Sequence, residues 1–311
     1  MSGRIALRPD SSKSLLERGI LLNTASRRLS FLGRVLLHYG TNRRCPYCDS
    51  SDTLLAGRKN HVLQLRKCST CGLRFRWPKD TAGFSEKYYQ KSYKESGFTT
   101  DLPSRTLLDE YIATGFAGSP KDFSRSIEVL QKLLPSGRIL DFGCSWGYGA
   151  YQLKQAGYDA IGFEISKPRA ELGRRELHVE VIDSQAGLDQ LPDESFDGIY
   201  ASHVLEHILS LKGVFSFFAR VLKPNGIAML LVPNSGGKEA RELGTGWGPM
   251  IGEKHLLALD GEFFLANLPA FGFRVLALSN PYNPTQIEQA LSQNTPLSQD
   301  GEELMVIARK L

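Results

Sequence analysis

The chain has 311 residues, 41% hydrophobic and 23% charged, with a formal net charge of +5. These are ordinary proportions for a globular protein with a large core and room for one main domain plus a smaller one. No apolar run reaches the ~18 residues of a membrane span. No apolar stretch with a cleavage site follows the first basic residues, so a cytoplasmic location is expected. The charge is uneven: residues 1–44 carry nine Lys/Arg against two acids, residues 45–80 seven against three, and residues 81–311 22 against 28. A main domain that is itself acidic suits a phosphate backbone poorly, so nucleic acid is not the expected partner.

Residues 1–44 form a basic segment expected to be partly helical. Leu22, Ala25, Leu29, Leu32 and Leu36 fall on one helical stripe, and Arg27, Arg28 and Arg34 lie off it. Two readings stay open, and a mitochondrial transit peptide is a third option that Asp10 and Glu17 count against. The helix rests on an anionic membrane surface, which would place the chain peripherally at the inner face of the membrane. Alternatively it packs on its own domain or on a second subunit.

Residues 45–80 carry Cys45-Pro46-Tyr47-Cys48 and, 19 residues later, Cys68-Ser69-Thr70-Cys71. Two such knuckles at this separation predict a zinc ribbon, with Val62–Lys67 as one of its strands. The competing pair of disulfides suits an oxidising compartment. Four Cys ligands, Cys45, Cys48, Cys68 and Cys71, leave no open coordination position, so the Zn2+ is expected to be structural. Residues 81–122 read as a linker and acceptor-side segment, with glycines and prolines between 95 and 120. Phe123, Ile127, Leu130 and Leu134 predict a helix that ends at Pro135-Ser136-Gly137.

Residues 123–311 then alternate strand and helix, which predicts a mostly parallel sheet with helices on both faces. Strands are expected near 138–141, 160–164, 178–182, 197–202, 226–232, 273–279 and 303–309. The last two should pair antiparallel across a long loop from Pro281 to Asp300. The central stretch is Arg138–Gly149. A short apolar strand ends at Asp141 and runs into a turn containing Gly143, Cys144, Ser145 and Gly147 ahead of a helix start. Such a turn points backbone N–H groups and a helix N-terminus at a ligand. Its glycine spacing departs from the dinucleotide pattern G-x-G-x-x-G. Glu164 ends the next apolar run and Asp183 the one after. A carboxylate at the second strand end can accept from two ribose hydroxyls.

Ile139–Leu153, the run Phe196–Ile208 and the turn Leu222–Gly226 together resemble three motifs of class I S-adenosylmethionine-dependent methyltransferases. The resemblance covers roughly residues 105–311. It implies a seven-stranded Rossmann-like sheet with a reversed last strand, and S-adenosylmethionine as cofactor. It places Asp141, Gly143, Cys144, Ser145 and Gly147 at the methionine end, Glu164 on the ribose, and Asp183 and Ser184 near the adenine. Ser202 ends the fourth strand beside the methyl group. Ser145 stands where the family usually has a second glycine, and its Cβ restricts φ. The ribbon, with Trp77-Pro78, Tyr88, Tyr89 and Tyr93, is similar to N-terminal modules of bacterial small-molecule and sugar methyltransferases. In those this region sits over the acceptor pocket; the tyrosines can equally pack the ribbon to the main domain.

An acceptor hydroxyl needs a base or a metal to take its proton. His203, Glu206 and His207 stand at i, i+3 and i+4, on one face of a helix. The sequence leaves open whether they hold a metal, act on the acceptor, or cap and pack the helix. His203 is the sharper catalytic candidate because it follows the strand end. His255, in Glu253-Lys254-His255-Leu256, is the second, with Trp247 as a pocket wall; its alternative is a loop His with a local hydrogen bond. The expected function is O- or C-methylation of a small-molecule or glycan-linked acceptor. An RNA methyltransferase using the basic ribbon and a non-catalytic cofactor-binding subunit remain as alternatives. The oligomeric state is not legible.

Overall fold

A computed structural model of the chain describes residues 31, 33, 35–36, 38–79, 102–280, 282–293 and 298–311. Leu22, Ala25, Leu29, Leu32, Arg27, Arg28 and Arg34 of the expected basic helix lie outside these residues, as do Tyr88, Tyr89 and Tyr93. Of the expected stripe only Leu36 is described, and it is 64% exposed, whereas its neighbour Val35 is buried against Leu63, Trp247 and Met250. Among the described residues, no helix is long and apolar enough to cross a membrane.

The first unit is a small antiparallel sheet of β1 (Thr53–Lys59), β2 (Leu63–Cys68) and β3 (Arg74–Trp77). The four cysteines of the knuckles gather at one end of it. After helices α1 (Arg105–Ala113) and α2 (Ser124–Leu133), the main sheet begins with β4 (Arg138–Phe142), α3 (Tyr148–Gln155), β5 (Asp159–Phe163) and α4 (Lys167–Glu176). Next come β6 (Val181–Ile182), α5 (Gln185–Asp189), β7 (Phe196–Ser202), α6 (Leu211–Val221) and β8 (Leu222–Pro233). A short α7 (Lys238–Leu243), β9 (Leu257–Ala258), α8 (Gly261–Asn267), β10 (Phe273–Ser279), α9 (Pro284–Gln293) and β11 (Glu303–Lys310) complete the chain.

The seven-stranded sheet has the order β10-β11-β8-β7-β4-β5-β6. β4 to β8 run parallel, and β11 is reversed between β8 and β10. Alternation along the strands feeds two cores. In β8, Ala228, Leu230 and Val232 face the core shared with α6, α8 and the ribbon, while Ile227, Met229 and Leu231 face the core shared with α2, α3 and α9. This is the side-chain period of two that a sheet buried on both faces requires.

Three departures from the sequence reading concern boundaries. The strand expected at 178–182 is reduced to Val181–Ile182, and the turn expected at Leu222–Gly226 is the first half of β8, with Asn225 at φ 64°. The segment read as a long loop from Pro281 holds α9, because Ile287 and Ala290 bury one face in the second core. The sequence reading also lacked β9. Its two residues pair antiparallel with β3, Phe75 against Leu257 and Arg74 against Ala258. The ribbon sheet therefore ends on a strand of the main domain.

Candidate functional site

A cavity of about 1920 Å³ opens at the C-terminal ends of β4, β5 and β7, where Gly143, Ser145, Glu164, Ser202, His203 and His255 line it. A pocket for one small ligand usually has ~300–1,000 Å³, so this one has room for a nucleoside and a second molecule side by side. Its position is the crevice at the strand ends of an open α/β sheet.

The turn after β4 is built tightly. Gly143 has φ 81° and Gly147 φ 83°, a region that L side chains rarely enter. A Cβ on Gly143 would also collide with the Val204 side chain. Ser145 adopts φ 52° despite its Cβ, and its Oγ accepts a 2.8 Å hydrogen bond from the buried guanidinium of Arg169. That bond offsets the cost of a non-glycine residue there, which is how the turn manages without the second glycine. Arg169, on α4, carried no signal in the sequence.

Glu164 ends β5 almost fully buried, and its Oε1 accepts from the Ser166 N–H at 2.7 Å. Burial pushes its carboxyl up to about 7, against the lowering effect of the Ser166 and Ser145 N–H groups and Arg169. Asp141 lies beneath the turn, and burial again, with the charge of Glu164, raises it to about 7. One side-chain oxygen, Oδ2, has no hydrogen-bond partner. Glu164 on the wall of the crevice fits a ligand with a vicinal diol, and Asp141, buried behind the turn with Oδ2 against Gly149, adds a second acid below it.

Other expected cofactor residues sit differently. Gly147 is the N-cap of α3. The Cys144 side chain points at Gly162 inside the sheet, and its N–H is used by the Phe163 carbonyl. Asp183 is held by Arg174 at 2.6 Å, and Ser184 caps α5 by accepting from Gly187. Ser202 and Trp247 border the cavity as expected, and Ile165, Gln185 and Leu188 form a wall beside Glu164 that the sequence reading lacked.

On the acceptor side, His203, Glu206 and His207 do not share an α-helix; Leu205–His207 is a single 3-10 turn. His203 stands between two carboxylates, with Nε2 2.8 Å from Oε2 of Glu303 of β11 and Nδ1 3.6 Å from Oε1 of Glu206, and Tyr282 donates to the other oxygen of Glu303 at 2.6 Å. The carboxylates of Glu206 and Glu303 flank the half-exposed His203 ring and raise it to about 10. A ring that keeps its proton is a hydrogen-bond donor, and His203 still lines the cavity. His255 also meets Glu206, together with His207. The three ligand atoms lie within 4.8 Å of one another, and the two rings cross edge to face at 5.0 Å. Burial and the neighbouring His207 lower the His255 ring from its usual value. Nothing in the sequence marks this meeting, because 48 residues separate the two histidines.

The loop that carries His255 is tied to the ribbon. Arg76 of β3 donates from Nη1 to the carbonyls of Gly252 and Glu253 at 2.8 and 2.9 Å, and Lys59 donates to Ile251 at 2.7 Å. In the ribbon, Cys45 and Cys71, and Cys48 and Cys68, approach to 3.5 Å between sulfurs. All four sulfurs lie within 4.8 Å of one another. Four thiols converging on one point fit a tetrahedral zinc ion.

Fold and site thus define a Rossmann-like α/β domain with one large crevice at its strand ends. The comparisons with known proteins fix the class. Residues 119–278 match the family model for the methyltransferase domain. The chain belongs to that family and to the class I S-adenosylmethionine-dependent methyltransferases. Phosphoethanolamine N-methyltransferase 1 of Zea mays is 29% identical over 174 residues, 53% of this chain and 33% of that protein. Sterol 24-C-methyltransferase ERG6B of Gibberella zeae is 36% identical over 107 residues, 30% and 27% of the two chains. The chain spans about a third of the length of these curated relatives. A solved S-adenosylmethionine-dependent methyltransferase of Archaeoglobus fulgidus covers 67% of this chain and 100% of its own, with 19% identity and a TM-score of 0.47.

Proposed function

We propose that the chain transfers a methyl group from S-adenosylmethionine to an oxygen or carbon of a small molecule, a sugar or glycan-linked acceptor being the leading class. The cofactor supplies an electrophilic methyl on a good leaving group, so the protein mainly has to position the acceptor. Glu164 takes the ribose hydroxyls, and the turn Gly143–Gly147 takes the methionine end. The names of the relatives, phosphoethanolamine and sterol methyltransferases, are consistent with a small acceptor.

The observation that carries this reading is the placement of His255 on the same cavity as Glu164 and the glycine turn. Its Nδ1 lies 2.7 Å from the Pro249 carbonyl. A carbonyl only accepts, so the ring proton sits on Nδ1 and the Nε2 lone pair is left for the acceptor. The ribbon, with zinc bound by Cys45, Cys48, Cys68 and Cys71, serves this wall as a structural support. His255→Ala should lower turnover at least about 100-fold, with S-adenosylhomocysteine affinity near wild type. An acceptor found by screening sugars and other hydroxyl compounds for S-adenosylhomocysteine release provides the assay. Unchanged turnover would remove His255 from the reaction.

A further inference from the structure

We propose that Glu206, His207 and His255 form a binding site for a divalent transition-metal ion on the acceptor side of the cavity. Glu206 is 2% exposed, and neither of its carboxylate oxygens has a hydrogen-bond partner. A carboxylate buried without hydrogen-bond donors is costly. Its nearest neighbours are three imidazoles, His203 with Nδ1 at 3.6 Å and His207 with Nε2 at 3.7 Å from Oε1, both too long for a hydrogen bond, and His255.

Both rings are oriented as metal ligands are. His207 Nδ1 lies 2.9 Å from the Lys254 carbonyl and His255 Nδ1 2.7 Å from the Pro249 carbonyl. Each carbonyl holds a proton on Nδ1, and each Nε2 therefore offers a lone pair. A backbone carbonyl that fixes the far nitrogen is the usual second shell of a metal-bound histidine. The three donor atoms lie within 4.8 Å of one another, and ligands around one ion sit ~3–4 Å apart. A small inward movement of the side chains closes the set. The segments that carry them are tied together, since the Leu256 N–H donates to the Glu206 carbonyl at 2.9 Å and Arg76 donates to the carbonyls of Gly252 and Glu253.

Two imidazoles and one carboxylate suit zinc, iron(II), manganese or nickel better than magnesium or calcium. Three protein ligands leave coordination positions open, and all three residues line the cavity. Those positions select an acceptor with two adjacent oxygen atoms, and His255 then acts on it through the ion. This deepens the methyl-transfer reading by naming the acceptor class, but the metal site itself is tested without any transfer.

The test uses full-length protein whose ribbon has been loaded with zinc and then dialysed against Co2+. The wild type should take up one Co2+ per chain with weak visible bands of a nitrogen–oxygen site, free of the intense near-ultraviolet bands of thiolate. His255→Ala and Glu206→Gln should bind Co2+ at least about tenfold more weakly. S-adenosylhomocysteine binding serves as the control that each variant is folded, and its loss in the wild type would count against the cofactor reading alone. Thiolate bands only, or equal Co2+ uptake by wild type and both variants, would overturn the proposal.

Discussion

Replacing Glu164 by Gln should weaken S-adenosylhomocysteine binding by about 1.5–3 kcal/mol, the usual value of hydrogen bonds to a charged group. That is about 10- to 150-fold in Kd by calorimetry. The same residue sets a pH dependence. Burial raises its carboxyl from 4.5 to about 7 in the folded chain. Between those values the folded state binds more protons than the unfolded one, so stability without ligand falls as pH climbs from about 4.5 to about 7. Full ionisation costs about 3 kcal/mol. Ribose hydroxyls donate to the carboxylate, so the ligand selects the ionised form. Affinity should therefore fall as pH drops below about 7, with a proton released on binding in that window. Glu164→Gln should lose this share of the dependence. An affinity independent of both pH and the substitution would place the ribose elsewhere.

The second large effect is expected from the ribbon. Stripping the zinc proposed for Cys45, Cys48, Cys68 and Cys71 with a chelator, or Cys68→Ser, should unfold β1–β3, since structural zinc sites contribute ~10–16 kcal/mol to the folding of small modules. The loss should not stay local. β9 would lose β3 as its partner, and the carbonyls of Gly252 and Glu253 would lose Arg76. Backbone hydrogen exchange should rise at Arg76, whose N–H donates to the Leu256 carbonyl at 2.8 Å, and in β9, which pairs with β3. Acceptor turnover should collapse while S-adenosylhomocysteine affinity changes little, because Glu164 and the glycine turn rest on the main sheet. Exchange confined to residues 45–77, with turnover intact, would contradict the coupling.

Much of this architecture was legible in the chain, and the parts that were not share a cause. The strands ending at Asp141, Glu164 and Ser202 were readable because runs of apolar residues closed by an acid or a small polar residue report strand ends directly. The same rule placed Asp183, Ser184 and Cys144 at the right ends of the right elements. It could not say where the side chains turn, and these three serve Arg174, the cap of α5 and the sheet interior. Helix α9 was legible in principle from Ile287 and Ala290, but prolines on both sides suggested a loop. The two-residue β9 shows no alternation at all. The grouping of Glu206 and His207 with His255, and the pairing of His203 with Glu303, depend on contacts across 48 and 100 residues, which no local spacing encodes.

The central claim is that the crevice between the glycine turn and Glu164 binds a sulfonium nucleoside. Calorimetric titration of the purified, zinc-loaded chain with S-adenosylmethionine at about pH 8, above the raised carboxyls, tests it most directly. One site per chain, competed by S-adenosylhomocysteine and weakened by Glu164→Gln, is the predicted result. A folded protein that gives no heat and no thermal shift with either compound would contradict it.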